Sequence, residues 1–230
     1  MQIRELHSFD VDYAAAREIQ IELAKNLNLS GGPKPGDLKT VAGCDVAFSR
    51  KENLAFGAVV VLSYPELEIL RSETGVAPPR FPYVPGFLSF REIEVLLPLF
   101  ERIERPDLLL VDGQGIAHPR GLGLASHLAL FLDIPAVGCA KSRLVGEAPE
   151  PGREKGSRSS LTYKNKPVGT LLRTRTDVKP MYISPGNGVS IRKAADLALA
   201  CTDKYKMPEP TRQADLLAGR FKREFLEGDK

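Results

Sequence analysis

The sequence predicts a mixed α/β fold, a sheet flanked by helices. Three observations carry this expectation. Strand-like segments at Thr40–Phe48, Leu54–Leu62 and Leu67–Thr74 are joined by short polar or proline-containing connections, which suits an antiparallel meander. Beyond them helical and strand-like stretches alternate, so further strands are added to a mixed sheet that helices cover. The chain of 230 residues is 43% hydrophobic and 27% charged, ordinary values for a globular protein with a proper core. They exclude a disordered polymer, a collagen-like repeat and a coiled coil. The length suits one elaborated domain over residues 1–230, at roughly 150 residues per domain.

In chain order, an amphipathic helix is expected from about Asp10 to Leu27, with Ala15, Ile19, Leu23 and Leu27 on one face. The run Gly31-Gly32-Pro33-Lys34-Pro35-Gly36 ends it before the meander. After the proline-rich loop Pro78–Pro85 a helix is expected from Phe90 to Ile103. A buried strand, Asp107–Asp112, then runs into the glycine-rich loop Gly113–Gly123. A helix at Leu124–Leu132 and a buried strand at Pro135–Ala140 follow. Gly146–Ser160 is rich in proline, glycine and serine and is expected as a surface loop. Strands near Val168–Arg175 and Met181–Ile183 precede two helices that start near Gly188 and Thr211.

The net charge is only +3, but it is unevenly spread. Pro151–Pro180 holds eight basic and two acidic residues, a segregation that can draw a polyanion or merely mark a solvated strand and loop. Cys44, Cys139 and Cys201 form no CxxC pair; two of them lie in apolar runs, where a buried free thiol is expected, and a reducing compartment follows. No stretch approaches the roughly 18–20 apolar residues of a membrane span, and a cytoplasmic protein is expected.

Carboxylates within apolar strands are the first chemical clue. Asp45 interrupts Val41–Phe48, where a carboxylate costs several kcal/mol unless a cation or hydrogen-bond donors satisfy it. A hydrogen-bonded structural aspartate fits equally well. Asp112 ends its strand just before Gly113-Gln114-Gly115, the kind of strand edge where mixed sheets place ligands, or simply a capping aspartate. Glu92 closes Ser89-Phe90-Arg91-Glu92, and spacing alone favours a capping box there. Asp215 lies a turn into the last helix, where an acid complements the helix dipole without further role.

Several enzyme classes are excluded. No Walker glycine pattern leads into Lys141-Ser142, and Gly113-Gln114-Gly115 meets His118 where a dinucleotide fingerprint needs its third glycine. Only His7, His118 and His127 are present, without HExxH, and no G-x-S-x-G elbow occurs. What remains is an oxygen-rich set of Asp and Glu, which suits Mg²⁺ or Mn²⁺.

Five segments, in order, resemble the endonuclease V family. Val41–Val46 is similar to its first acidic strand, and Pro82–Glu92 (PYVPGFLSFRE) to its PYIPG…FRE segment. Asp107–Arg120 resembles the block containing DGxGxAHPR, and Gly138–Ser142 and Pro208–Arg212 resemble two more. The resemblance implies a ribonuclease H-like fold and metal-dependent cutting of DNA that contains deoxyinosine, the product of adenine deamination. The cut it implies is at the second phosphodiester bond 3′ to the lesion, leaving 3′-hydroxyl and 5′-phosphate ends.

By the same resemblance Asp45, Glu92 and Asp112 are metal ligands for Mg²⁺, with Mn²⁺ able to substitute, and Lys141 neutralises phosphate near the cut. Pro82, Tyr83, Val84 and Pro85 form a strand-separating wedge, with Tyr83 filling the gap left by an extruded base. Gly86, Leu88, Gly113, Gly115 and His118 surround the base. Asp215 stands where some relatives carry histidine, which puts a metal-supporting role in doubt. An RNA-inosine nuclease, another nuclease of this fold acting on hybrids or junctions, and a noncatalytic nucleic-acid-binding module are the rival expectations. The protein is expected to act as a monomer, without a membrane.

Overall fold

Thr40–Ser49 (β1) pairs antiparallel with Leu54–Ser63 (β2) in unbroken register from Thr40↔Ser63 to Ser49↔Leu54. Ile69–Ala77 (β3) continues the meander antiparallel to β2, with one irregularity between Val61 and Leu62. The structure, a computed structural model, describes residues 1–228. The helix Leu88–Glu101 (α2) leads to Leu108–Val111 (β4), which lies parallel to β1 from Val41↔Leu108 to Cys44↔Val111. The helix Leu124–Leu132 (α3) then returns the chain to Ala136–Ala140 (β5), parallel to β4. Arg158–Tyr163 (β6), Lys166–Leu172 (β7) and Met181–Asn187 (β8) complete an eight-stranded sheet ordered β3-β2-β1-β4-β5-β8-β7-β6. Tyr13–Ala24 (α1), Ile191–Ala200 (α4) and Glu209–Gly228 (α5) are the remaining α-helices. The meander followed by alternation is the expected mixed sheet.

Strand alternation divides the core into two layers. Ala42, Cys44 and Val46 of β1 join Leu109 and Val111 of β4 against Ile93, Leu96 and Phe100 of α2 and Leu128 of α3. Val41, Leu108 and Leu110 instead face Ala194 and Leu197 of α4 and Ala214 of α5. The central strands are buried on both faces, which is why β4 and β5 are nearly continuous apolar runs. Gly43 lets α5 approach β1: a Cβ there would stand 2.1 Å from the Pro210 carbonyl oxygen.

Several elements differ from the sequence expectation; the strand expected near Val168–Arg175 runs from Lys166 to Leu172. The first helix begins at Tyr13, because the Asp12 carboxylate accepts the Ala15 N–H at 2.8 Å and caps it. Its fully buried residues are Ala16 and Gln20, so the packed face is turned from the Ala15-Ile19-Leu23-Leu27 stripe. The third strand starts at Ile69, not Leu67, since Leu67 has a positive φ of 59°. The eighth strand extends past Ile183 to Asn187. The expected loop Gly146–Ser160 ends in a strand, β6, whose sequence RSSLTY lacks a continuous apolar face. Lys164 (φ 50°) and Asn165 (φ 60°) both take positive φ and turn it into β7, the geometry of a tight two-residue hairpin.

Candidate active site

The parallel register of β1 and β4 brings two distant aspartates together. Cys44 pairs with Val111, so Asp45 and Asp112 are the next residues of adjacent strands. Alternation puts both on the face that carries α5, since Val41, Leu108 and Leu110 point there. Asp215 approaches from α5 itself. Lys141, immediately after β5, sets its Nζ 2.6 Å from Asp112 Oδ2 and 3.9 Å from Asp215 Oδ1.

Glu92 arrives from α2 and is buried. The capping box expected at Ser89–Glu92 does not form: the helix starts at Leu88, with Phe87 at its N-cap and no side-chain cap. Ser89 and Glu92 therefore lie inside the first turns. Ser89 Oγ instead meets His127 Nδ1 at 2.9 Å, and His127 Nε2 meets His7 Nε2 at 2.7 Å. Released from capping, the Glu92 carboxyl is available to the acid cluster.

The electrostatics of the cluster are unfavourable to charge. Burial, then the Asp112 and Asp215 charges, push Asp45 up to about 7, against the pull of Lys141 and the Val46 N–H. Burial and the charges of Asp45 and Asp112 push Glu92 well above the carboxylate range. Burial also raises Asp112, outweighing its bond to Lys141. One buried acid, Glu92, and two partly buried ones, Asp45 and Asp112, thus feel one another's charge, with a single ammonium directly paired to them. Among the described residues, no three His, Cys, Asp or Glu side chains stand as a ready-made metal cage; Asp112 gives its oxygen to Lys141.

Beside the acids opens a cavity of about 360 Å³, lined by Tyr83, Gly86, Leu88, Gly113, His118 and Lys141, among others. That volume lies in the roughly 300–1,000 Å³ range of small-molecule pockets. Val84 and Pro85 border it too, whereas Pro82 and Gly115 are not among its lining residues. The Gly115 N–H is spent on Ser184 Oγ at 2.8 Å, which ties the glycine loop to β8. Tyr83 is 70% exposed, at the tip of its proline-flanked loop. His118 is buried, with Nε2 3.0 Å from the Gly86 carbonyl and Nδ1 accepting the Arg120 N–H at 3.3 Å. That pattern assigns a neutral ring; burial, then the Arg120 charge, hold it down at about 4. Gln20 and Gln114, both buried, also line the cavity. No sequence motif marks Gln20, one of several polar residues in an amphipathic helix and the one that is buried.

The basic stretch Pro151–Pro180 is less free than its composition suggests. Arg173 is buried and donates to the carbonyls of Gly152, Val178 and Pro151 and to Glu150 at 2.5–3.0 Å. It fastens the Gly146–Ser157 excursion rather than facing solvent. Arg153 and Arg158 pair with Asp177 and Asp196 at 2.6 and 2.7 Å, while Arg175 and Lys179 are exposed. No helix among the described residues is long and apolar enough to cross a membrane.

The endonuclease V family model matches residues 21–216. An endonuclease V of Nostoc punctiforme is 50% identical over 182 residues, 79% of this chain and 82% of that protein. The Bacillus subtilis endonuclease V structure superposes with a TM-score of 0.94 at 28% identity, over 100% of both chains. A Ciona intestinalis endonuclease V, solved with a 24mer DNA containing an inosine followed by a ribo-adenosine, gives 0.79 at 30% identity, over 92% of this chain and 98% of that one. The fold and these likenesses define a nuclease, an enzyme that hydrolyses phosphodiester bonds. The chain belongs to the endonuclease V family.

Proposed function

We propose that this nuclease repairs DNA by cutting strands that contain deoxyinosine, at the second phosphodiester bond 3′ to the lesion, leaving 3′-hydroxyl and 5′-phosphate ends. The observation that carries the proposal is the juxtaposition of the interacting acids Asp45, Glu92 and Asp112 with a base-sized cavity, which Asp112 itself and the exposed Tyr83 line. The inosine-containing DNA bound by the Ciona relative supports the same substrate.

The acid cluster fits a hard divalent cation, Mg²⁺ or Mn²⁺, by its chemistry: oxygen donors that raise one another's pKa, partly withdrawn from water and short of positive charge. Asp45, Glu92 and Asp112 would hold it, with Asp215 at the margin. When bound, such an ion lowers the pKa of a water and neutralises charge on phosphate. The protein supplies the rest. Lys141 keeps its protons at Nζ, since the hydrogen bond and charge of Asp112 outweigh burial in raising it, and can donate them to a phosphate oxygen. Tyr83 presents an aromatic face to the base stack as the lesion base leaves it, worth about 1–3 kcal/mol. The cavity receives that base beside Gly113, and neutral His118 braces the wall without moving a proton.

Incubating the protein with Mg²⁺ and end-labelled inosine duplex, and mapping the ends, tests the proposal. A single nick one nucleotide beyond the lesion's own 3′ phosphate is expected; equal cutting of undamaged duplex rejects it. The ribo-adenosine in the Ciona complex favours a second substrate, inosine-containing RNA, which matched ribo- and deoxyinosine strands distinguish.

A further inference from the structure

The Gly86 carbonyl, at the root of the Tyr83 loop, draws three side-chain donors. Gln20 Nε2 lies 3.0 Å away, His118 Nε2 3.0 Å and Arg120 Nη2 2.6 Å. Val84-Pro85-Gly86-Phe87 forms a turn, with the Phe87 N–H on the Val84 carbonyl at 3.0 Å and Gly86 at φ +83°. Proline followed by a left-handed glycine is the signature of a type II turn. Holding the Gly86 carbonyl therefore holds the whole turn, and with it the direction of Tyr83.

Gln20 is unusual among these donors because it comes from α1, outside the glycine loop and outside the matched residues 21–216. It is 1% exposed on an otherwise apolar face. Its Oε1 accepts the Arg120 Nε–H at 2.5 Å, and its amide also reaches the Leu122 carbonyl at 3.4 Å. One amide thus ties together the turn, the glycine loop and Arg120, whose guanidinium lies 4.3 Å over the Phe87 ring. Burying such a group is costly unless every polar atom is bonded, and here both ends of the amide are.

We propose that Gln20 is a positioning residue for the wedge: with Arg120 it fixes the Gly86 carbonyl and so sets Tyr83 relative to the cavity. The proposal rests on the wedge and pocket assigned above. It makes lesion discrimination depend on α1, an element that carries none of the acids.

The chain contains no tryptophan, so Tyr83→Trp places a single tryptophan on the loop, which can be excited at wavelengths the tyrosines do not absorb. In that background Gln20→Leu should lower tryptophan anisotropy in the free protein. Gln20→Glu, which keeps the acceptor for Arg120 but loses both donors, should do the same if the leucine variant folds poorly. Unchanged anisotropy in a folded variant overturns the proposal. With Tyr83 intact, Gln20→Leu should reduce the ratio of inosine-duplex to plain-duplex affinity about tenfold. In a Tyr83→Ala background the same change should add less than about twofold, since both act through one wedge. Full additivity also overturns it, marking a merely structural glutamine. A wild-type protein that ignores inosine would reject the proposed function alone, because the anisotropy measurement decides the brace without substrate.

Discussion

Lys141 Nζ bridges two carboxylates, 2.6 Å from Asp112 Oδ2 and 3.9 Å from Asp215 Oδ1. The ammonium occupies an oxygen that a divalent ion would also want, yet the phosphate at the cut would need both. Removing it should therefore split binding from chemistry. Lys141→Gln should bind Mn²⁺ about threefold tighter, the gain kept small by a half-exposed site. It should cut inosine duplex about 100-fold more slowly. Calorimetric titration and single-turnover cutting measure the two; a joint fall in both would sink this division of roles.

The strained acids give the metal-free protein a pH dependence. Asp45 is raised from 3.8 to about 7 by burial, then by Asp112 and Asp215. Between those values the folded state holds a proton that the unfolded chain releases. Its contribution to stability is complete below about pH 4 and is lost as pH rises through about 7. Asp45→Asn should remove this loss and raise Tm in chelator at pH 8 by roughly 5 °C, while abolishing cutting. Calorimetry at pH 5 and 8 checks it, and an unchanged or lower Tm at pH 8 contradicts it.

His118 works in the opposite direction. Burial, then the Arg120 charge, depress it from 6.5 to about 4. Its contribution is present above pH 6.5 and is lost as pH falls through about 4. In His118→Gln, urea-derived stability should fall less steeply over that interval; an identical slope would assign the acid sensitivity to other groups, such as buried His127.

Tyr83 is 70% exposed, so replacing it with alanine should leave Tm within about 1 °C, as surface changes do. Affinity for inosine duplex should nevertheless drop about tenfold, the worth of one stacking partner. Equal affinity by fluorescence titration would remove the wedge.

The basic stretch separates into two behaviours. Arg173→Met should cost about 3 kcal/mol of stability, because four carbonyl and carboxylate contacts lose a buried cation. Arg175→Gln should leave stability unchanged and reduce the salt slope of DNA binding by about one unit. Urea melts and affinities at several salt concentrations report both, and a stable Arg173→Met would refute the anchoring role.

Asp45 stood out in the sequence because a carboxylate inside the apolar run Val41–Phe48 is costly, and Asp112 because it ends a buried strand at a glycine loop. Glu92 entered the site only through the family resemblance. Sequence reasoning could not place Asp45 beside Asp112, since the parallel pairing of Cys44 with Val111 joins strands far apart in the chain. The capping expected at Ser89-x-x-Glu92 followed from spacing, but Phe87 takes the N-cap and moves both residues into the helix. Strand β6 was hidden for another reason: RSSLTY carries little apolar signal, and its position depends on pairing with β7. The amphipathic stripe of α1 was displaced because tertiary bonds reward burying Gln20, a preference that hydropathy counts against.

Gly43 decides more than the spacing of a strand and a helix. A Cβ there would strike the Pro210 carbonyl at 2.1 Å and lift the start of the helix that bears Asp215. The missing methyl group makes this position a fixed point in any search for altered specificity. Directed libraries that vary Gly43 will be filled with misassembled sites, whereas diversity placed at the cavity rim, at Leu88 and Leu144, leaves the acid cluster standing. The route by which such a nuclease acquires a new substrate is therefore narrow on its helix side and open on its pocket side.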